Sequence, residues 1–158
     1  MKLYFAYGSN MDPQRIQKRI NRLPSRESAV LIGYKLYFNK KADGKPGIGY
    51  ANIMLTEGES VYGILYQVTE CELSKIDCHE GVYTGHYSRQ EVTVLLEDKQ
   101  EINAITYIAC PDKIRNKLVP EKSYLAHLLA GKAYLPEEYV CFLESHSMAT
   151  TINERGDT

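Results

Sequence analysis

Hydrophobic and polar residues form six stretches that are rich in Val, Ile and Tyr and bounded by turn residues, a pattern that predicts β-strands. These stretches are residues 2–7 (KLYFAY), 29–38 (AVLIGYKLYF), 48–55 (IGYANIML), 60–68 (SVYGILYQV), 88–97 (SRQEVTVLLE) and 101–110 (EINAITYIAC). The EDKQE segment between the last two predicts a hairpin connection. Most strands follow one another without an intervening helix, which favours an antiparallel or mixed sheet, curled towards a barrel, over a doubly wound fold.

Apolar residues at helical spacing predict four helices between and after these strands. The first begins with Asp12 as N-cap and Pro13 at the first helical position. Its apolar stripe consists of Ile16, Ile20 and Leu23. The last two helices are predicted over residues 123–134 and 136–147. With the strands, these helices give an α+β fold.

The second helix carries the most informative side chain. It begins at Thr69, which has a glutamate three residues later in the spacing of a capping box, and it ends near Gly81. Leu73, Ile76 and Glu80 follow at helical spacing and share one face. Because the two apolar side chains should face the core, we expect the carboxylate of Glu80 to point inward as well.

An inward-facing Glu80 is a candidate acid and base. Burial disfavours the charged carboxylate, and the negative end of the helix dipole disfavours it again, so both effects raise its pKa. A raised pKa is the condition for a carboxylate to exchange protons near neutral pH. The alternative is that Glu80 is partly exposed, or is simply hydrogen-bonded to a neighbouring tyrosine.

Length and charge limit the classes of protein to consider. At 158 residues the chain is long enough for a domain that buries roughly 70% of its unfolded surface. We expect this single domain to cover residues 1–148, followed by a polar, flexible tail over residues 149–158. The net charge of −1 and the lack of a basic tract predict that nucleic acid is not a partner.

Neither a membrane span nor a disulfide framework is expected. The sequence contains no run of roughly 18 consecutive apolar residues, and its N-terminus resembles a strand rather than a signal peptide. The four cysteines are scattered without a CxxC pair; they are Cys71, Cys78, Cys110 and Cys141. Reduced thiols, and therefore a cytoplasmic location, are the prediction.

Two segments together resemble the γ-glutamylcyclotransferase family, within the AIG2-like superfamily. They are YFAYGSNM (residues 4–11), which follows the first strand, and HEGVYTGHY (residues 79–87), which contains Glu80. Further similar segments are GYANI (residues 49–53), VYGILY (residues 61–66) and SYLAHLLAGKAYLPEEY (residues 123–139). The matches occur in the family's order over about residues 3 to 140.

The resemblance implies a small mixed, barrel-like β-sheet with flanking helices. It also implies an enzyme that closes the γ-glutamyl group of a γ-glutamyl amino acid to 5-oxoproline and releases the amino acid, without cofactor or metal. Glu80 would be the catalytic residue, and the small-molecule substrate would be the partner. The implied substrate-binding residues are Tyr4, Phe5, Ala6, Tyr7, Gly8, Ser9, Asn10, Tyr87 and Tyr124. The oligomeric state is left open, with a homodimer among the alternatives.

Several alternatives remain open. Ser9 and Asn10 have the chemistry to cap the following helix rather than to bind a ligand. The resemblance also allows a γ-glutamylamine cyclotransferase or a biosynthetic γ-glutamyl-removing enzyme, although GSN, where those relatives commonly have GTL, favours γ-glutamyl amino acids. A non-catalytic ligand-binding domain on the same scaffold is a further alternative. Lys40, Lys41 and Arg89 are candidates for meeting a carboxylate on the leaving group.

A zinc site is the weakest alternative. Cysteine, histidine and glutamate side chains lie close in sequence at Cys71, Cys78, His79, Glu80 and His86. Their spacing fits no closed zinc-ligand set, and consecutive residues of a helix point in different directions.

Overall fold

The computed structural model describes residues 1–149, which contain five strands and four α-helices. The strands are β1 (Lys2–Ala6), β2 (Arg26–Lys41), β3 (Gly49–Val68), β4 (Tyr87–Leu96) and β5 (Glu101–Ala109). The helices are α1 (Pro13–Ile20), α2 (Glu70–His79), α3 (Lys122–Leu129) and α4 (Glu137–Glu144). Short 3-10 turns cover Ser9–Met11, Val82–Thr84, Pro111–Lys113 and Lys132–Tyr134. Apart from Ala149, the predicted tail over residues 149–158 lies outside the described residues and stays a prediction.

The strands close into a mixed barrel in the order β1-β3-β2-β4-β5, which confirms the predicted fold class. The β1–β5 contact is parallel, with Tyr4 opposite Ile105, and the other pairs are antiparallel. Closure pairs every strand on both sides and removes the exposed edges that invite aggregation. The hairpin predicted between β4 and β5 is present, and Lys99 in it has a positive φ of 72°.

The two strands predicted over residues 48–55 and 60–68 are one continuous strand, β3. Its pairing with β2 jumps from Ile32 opposite Ser60 to Tyr34 opposite Leu55, so that extra residues of β3 bulge outward. Gly58, with a φ of 84°, lies in this bulge. The polar TEGES sequence resembles a turn, but β2 pairs on both sides of it and keeps the strand continuous.

The first two helices begin where the capping signals predict. The Oδ1 of Asp12 accepts the N–H of Gln14 at 2.9 Å, which makes Asp12 the N-cap of α1. The predicted apolar stripe is wrong at Leu23, which lies beyond the helix and is 42% exposed. Helix α1 ends earlier because Asn21 adopts the left-handed conformation, with a φ of 62°.

The single helix predicted over residues 123–134 is also shorter. Helix α3 ends at Leu129, and a tight turn at Gly131 follows. A Cβ atom at Gly131 would lie 2.8 Å from the Cβ of Met11, so only glycine lets this turn pack on the segment after β1. Within residues 1–149, no helix has the length and apolar character needed to cross a membrane.

Helix packing places three segments at one end of the barrel. Helix α1 contacts α2, and α3 contacts the 3-10 turn Ser9–Met11. Burial of Ile16 on α1, Ile76 on α2 and Leu125 on α3, each at most 1% exposed, stabilises this arrangement. The end of β1, the end of α2 and the start of α3 therefore meet around a common depression.

Candidate active site

The segment after β1, residues 8–11, is a turn whose first backbone N–H groups have no hydrogen-bond acceptor among residues 1–149. The N–H of Met11 donates to the carbonyl of Gly8 at 3.0 Å and closes the turn. Within residues 1–149, the N–H groups of Gly8, Ser9 and Asn10 donate to no protein acceptor. Successive N–H groups in a turn form a concavity that binds anions, so this segment is suited to a carboxylate or an oxyanion.

Capping does not explain the polar residues of this turn. Asp12, and not Ser9 or Asn10, provides the side-chain cap of α1, and the 3-10 turn itself has no side-chain cap. The alternative in which Ser9 and Asn10 cap the helix is therefore wrong.

Glu80 follows α2 directly and points inward. Thr69 closes the predicted capping box at the start of the helix, and the N–H of Glu80 donates to the carbonyl of Ile76 at 2.8 Å. Gly81 then takes a φ of 69°, a left-handed conformation that favours glycine, and turns the chain away. The side chain of Glu80 is only 17% exposed, as its helical spacing to Ile76 predicts.

Asn10 and Arg19 hold the carboxylate of Glu80. Its Oε2 lies 3.4 Å from the Nδ2 of Asn10 and 3.4 Å from the Nη1 of Arg19. The same Nη1 donates to the Oδ1 of Asn10 at 2.9 Å. Because a guanidinium can only donate, the amide oxygen of Asn10 must face Arg19, and the amide nitrogen is left for Glu80 and for the hydroxyl of Tyr4 at 2.9 Å.

The environment of Glu80 favours its protonated form. Burial raises the pKa of Glu80 above its ordinary value, and this effect outweighs the opposing positive charges of Arg19, Arg15 and Lys40. Burial also raises the pKa of Tyr4 far above its ordinary value, so this hydroxyl stays neutral. A carboxylate with a raised pKa beside neutral donors can accept and return a proton near neutral pH.

Tyr87 and Tyr124 meet at the backbone of Ala51. The hydroxyl of Tyr87 donates to the carbonyl of Ala51 at 2.6 Å, whereas the hydroxyl of Tyr124 accepts the N–H of Ala51 at 3.1 Å. Tyr87 has used its only proton and can accept a hydrogen bond from a ligand, while Tyr124 keeps its proton and can donate one. A Cβ atom at Gly8 would lie 3.5 Å from the Tyr124 hydroxyl, so glycine lets the turn come close to this pair.

The site has an inner recess of about 30 Å³ and an outer cleft of about 360 Å³. Glu80, Tyr87 and Tyr124 line both of them. The recess is also lined by the predicted residues Tyr4, Tyr7, Gly8, Ser9 and Asn10. The cleft is also lined by Arg15, Arg19, Lys45, His79, Glu121 and His127. A molecule that fills both would place its reacting atoms next to Glu80.

Two of the predicted substrate-binding residues, Phe5 and Ala6, line neither cavity. They are 0% and 1% exposed and pair with Leu65 and Ile64 inside the barrel. The carbonyl of Phe5 accepts the hydroxyl of Thr106 at 2.8 Å. Their side chains belong to the core, and any contribution of their backbone to substrate binding stays a prediction.

The cations of the cleft are not those that the sequence suggested for a leaving-group carboxylate. Arg89 donates to both carboxylate oxygens of Asp77, at 2.9 and 2.8 Å, and does not line the cleft. Lys40 is buried, with its amine 2.7 Å from a histidine ring nitrogen. Arg15 and Arg19 were missed, although their spacing of four residues beside the apolar stripe of α1 was a usable signal.

The histidines and cysteines near Glu80 form no metal site. Among the described residues, no group of three or more His, Cys, Asp or Glu side chains is arranged to hold a metal ion. His79 lines the cleft, where burial first, and then the charges of Arg19 and Arg15, lower its pKa. It is therefore a neutral polar group at neutral pH.

The site combines a recessed carboxylate with backbone N–H groups that have no protein acceptor in the described part of the chain. This combination is typical of an enzyme that performs acid–base chemistry on a small molecule. The family model described as gamma-glutamyl cyclotransferase, AIG2-like, matches residues 4–126. The chain belongs to this family, which confirms the resemblance drawn from its sequence.

Individual relatives agree with this assignment. Over 109 residues, or 66% of this chain and 57% of the relative, the chain is 36% identical to the gamma-glutamylcyclotransferase of Bos taurus. It is 34% identical over 110 residues to that of Homo sapiens, covering 67% of this chain and 58% of the relative. The chain thus spans less than three-fifths of the length of these curated relatives. A solved structure of a gamma-glutamyl cyclotransferase superposes with a TM-score of 0.81 at 28% identity, covering 93% of this chain and 88% of the other.

Proposed function

We propose that this protein is a γ-glutamyl cyclotransferase that converts a γ-glutamyl amino acid into 5-oxoproline and the free amino acid. The observation that carries the proposal is the position of Glu80, a buried carboxylate with a raised pKa where the recess meets the cleft. Membership of the family supports it. The substrate is a small molecule, and the chemistry requires neither cofactor nor metal.

The reaction begins with a proton transfer to Glu80. The α-amino group of the substrate is mostly protonated at neutral pH and cannot attack. Glu80 in its charged form removes this proton, and the amine nitrogen then forms a bond to the substrate's own γ-carbonyl carbon. The carbonyl oxygen gains the electron pair and becomes an oxyanion, which the free N–H groups of Gly8, Ser9 and Asn10 stabilise.

The reaction ends when Glu80 returns a proton. Protonated Glu80 donates to the nitrogen of the leaving group, the bond between this nitrogen and the γ-carbon breaks, and the oxyanion collapses to the lactam carbonyl. The ring nitrogen still carries one proton too many after its attack; Glu80 removes this second proton and passes it to the departing amine, so that the amine leaves as an ammonium and Glu80 returns to its charged form. The products are 5-oxoproline and a free amine, and no water is consumed. Tyr124 offers a hydroxyl proton to the substrate and Tyr87 a lone pair, so the two residues orient groups of opposite hydrogen-bonding character.

The release of 5-oxoproline from γ-glutamyl-alanine tests the proposal directly. We expect turnover by the wild type, and a loss of roughly 10²-fold or more in the Glu80→Gln variant, which keeps the shape but not the base. Glu70→Gln is the matched control, because Glu70 lies on the helix that precedes Glu80 but its side chain is 55% exposed and does not line the cleft. A wild type without product would refute the cyclotransferase, and a fully active Glu80→Gln variant would refute the role of Glu80.

We also propose a cytoplasmic location for this enzyme. All four cysteines lie within the described residues and are unpaired, and three of them are exposed. Exposed free thiols suit a reducing compartment. Cell fractionation with an antibody to the chain tests this, and recovery of the protein with the secreted fraction would contradict it.

A further inference from the structure

The outer cleft contains a cation without a carboxylate partner. Glu121 is paired with Lys45 at 2.9 Å, and Glu80 lies 3.4 Å from Arg19. Arg15 lines the same cleft, yet within residues 1–149 no carboxylate oxygen lies within 4.0 Å of its guanidinium. Three cations thus face two carboxylates, and the unmatched positive charge is that of Arg15.

A histidine relay, the chain of hydrogen bonds from Arg15 through His127 to Asp12, fixes the orientation of this guanidinium. The Nη1 of Arg15 lies 3.0 Å from the Nε2 of His127, and the Nδ1 of His127 lies 2.7 Å from the Oδ2 of Asp12. Because arginine can only donate, Nε2 accepts from Arg15 and the N–H at Nδ1 donates to Asp12. The relay therefore holds one end of the Arg15 guanidinium in place.

The remaining edge of the guanidinium is suited to a carboxylate. The Nε atom of Arg15 is buried and has no hydrogen-bond partner among residues 1–149. A buried donor without a partner is costly, and the planar guanidinium carries further N–H groups whose fixed fork geometry matches the two oxygens of a carboxylate. Burial first, and then the charge of Arg19, lower the pKa of Arg15, so that an arriving anion would relieve both effects.

We infer that Arg15 binds the carboxylate of the leaving amino acid, so that the cleft selects γ-glutamyl amino acids over γ-glutamyl amines. This inference rests on the proposed cyclotransferase function. Arg15 lines the cleft and not the recess, whereas Glu80 lines both. With the γ-carbonyl oxygen of the substrate in the recess beside the N–H groups of the turn, the leaving group extends past Glu80 towards Arg15.

A pair of matched substrates isolates the leaving-group carboxylate. γ-Glutamyl-alanine and γ-glutamylethylamine differ only in this group, so any contact to the shared γ-glutamyl part affects both equally. We expect the wild type to favour γ-glutamyl-alanine in kcat/KM, and Arg15→Met to reduce this preference by roughly 10- to 100-fold. The loss should appear in KM more than in kcat, because the carboxylate is bound alike before and during the reaction.

Two further variants separate charge, geometry and folding. Lys18→Met removes one charge from an exposed position of the same helix and should leave the preference unchanged. Arg15→Lys keeps the charge but loses the fork, and should give an intermediate preference with a normal melting temperature. An equal loss for both substrates in Arg15→Met, or an unchanged preference, would overturn the inference.

Binding measured by calorimetry tests the role of Arg15 separately from the proposed cyclotransferase activity. The dissociation constants of both compounds are measured on the Glu80→Gln protein, with and without Arg15→Met. A wild type that releases no 5-oxoproline refutes the cyclotransferase, but the ratio of the two dissociation constants still decides the role of Arg15. A ratio that Arg15→Met brings to about one supports the inference, and a ratio that does not change refutes it.

Discussion

Arg19 offers the sharpest test of how this site sets the pKa of Glu80. Burial is the largest effect and raises this pKa, and the positive charge of Arg19 is the first of the effects that lower it. The Arg19→Gln variant keeps a hydrogen-bond donor near Asn10 but removes the charge. Burial is then less opposed, so the pKa of Glu80 must rise further.

The geometry sets the size of this rise. At the observed 3.4 Å, Coulomb's law gives about 5 kcal/mol at an effective dielectric constant of about 20, and about 1.2 kcal/mol in bulk water. The side chains of Arg19 and Glu80 are 14% and 17% exposed, so the effective value lies between these limits. At about 1.4 kcal/mol per pKa unit this is roughly one to three and a half units, and we expect the lower half because Arg15 and Lys40 remain.

The assay is the pH dependence of kcat/KM for γ-glutamyl-alanine. In the proposed reaction, attack requires the charged form of Glu80, so the acidic limb of the profile should have its midpoint at the pKa of Glu80 in the free enzyme. In Arg19→Gln the limb should move to higher pH by about one to two units. In Arg19→Lys, which keeps the charge, it should stay near the wild-type position. A limb that stays in place in Arg19→Gln, or moves to lower pH, would refute the electrostatic account.

Three stability predictions follow from the same contacts. Because the folded pKa of Glu80 lies above its ordinary value in an unfolded chain, its ionisation costs stability as the pH rises through the folded pKa. Glu80→Gln should therefore melt at a higher temperature than the wild type near pH 7, and this gain should vanish near pH 4 in thermal scans. Thr69→Ala breaks the capping box with Glu72 and should lower the unfolding free energy in urea by about 1 kcal/mol; no change would contradict the capping. Arg89→Met leaves the buried carboxylate of Asp77 without its positively charged partner, with only the Tyr107 hydroxyl among the described residues donating to it, and should cost about 3 kcal/mol in the same assay. A loss confined to a few tenths of a kcal/mol would contradict this.

Local chemistry in the sequence predicted where elements begin and where the key carboxylate lies. The caps at Asp12 and Thr69 act within one helical turn, so they are readable without the fold. The inward direction of Glu80 follows from its spacing to Leu73 and Ile76, which are both buried. These inferences hold because neighbours along the helix determine them.

Features that depend on distant partners could not be read in this way. The bulge near Gly58 resembles a turn until β2 is seen to pair on both sides of it. In the sequence, the guanidinium of Arg89 resembles a group that could bind a ligand. In the fold it donates instead to both carboxylate oxygens of Asp77, which lies on helix α2. In both cases a tertiary contact between separate elements decides the outcome, and no local pattern encodes it.

The two arginines of α1 depend both on local helical spacing and on tertiary contacts. Arg15 and Arg19 are four residues apart on one face of a short helix, an arrangement of like charges that costs roughly 0.2–0.5 kcal/mol in an isolated helix. The fold offsets this cost only in part, because it brings the carboxylate of Glu80 to Arg19, whereas no carboxylate oxygen of residues 1–149 lies within 4.0 Å of the Arg15 guanidinium. The carboxylate of Glu80 balances only one of these two positive charges, so a bound anion can balance the other. On this reasoning the same helix lowers the pKa of Glu80 with one arginine and binds the leaving group with the other, so that substitution of Arg19 should change the pH profile and substitution of Arg15 the choice of substrate.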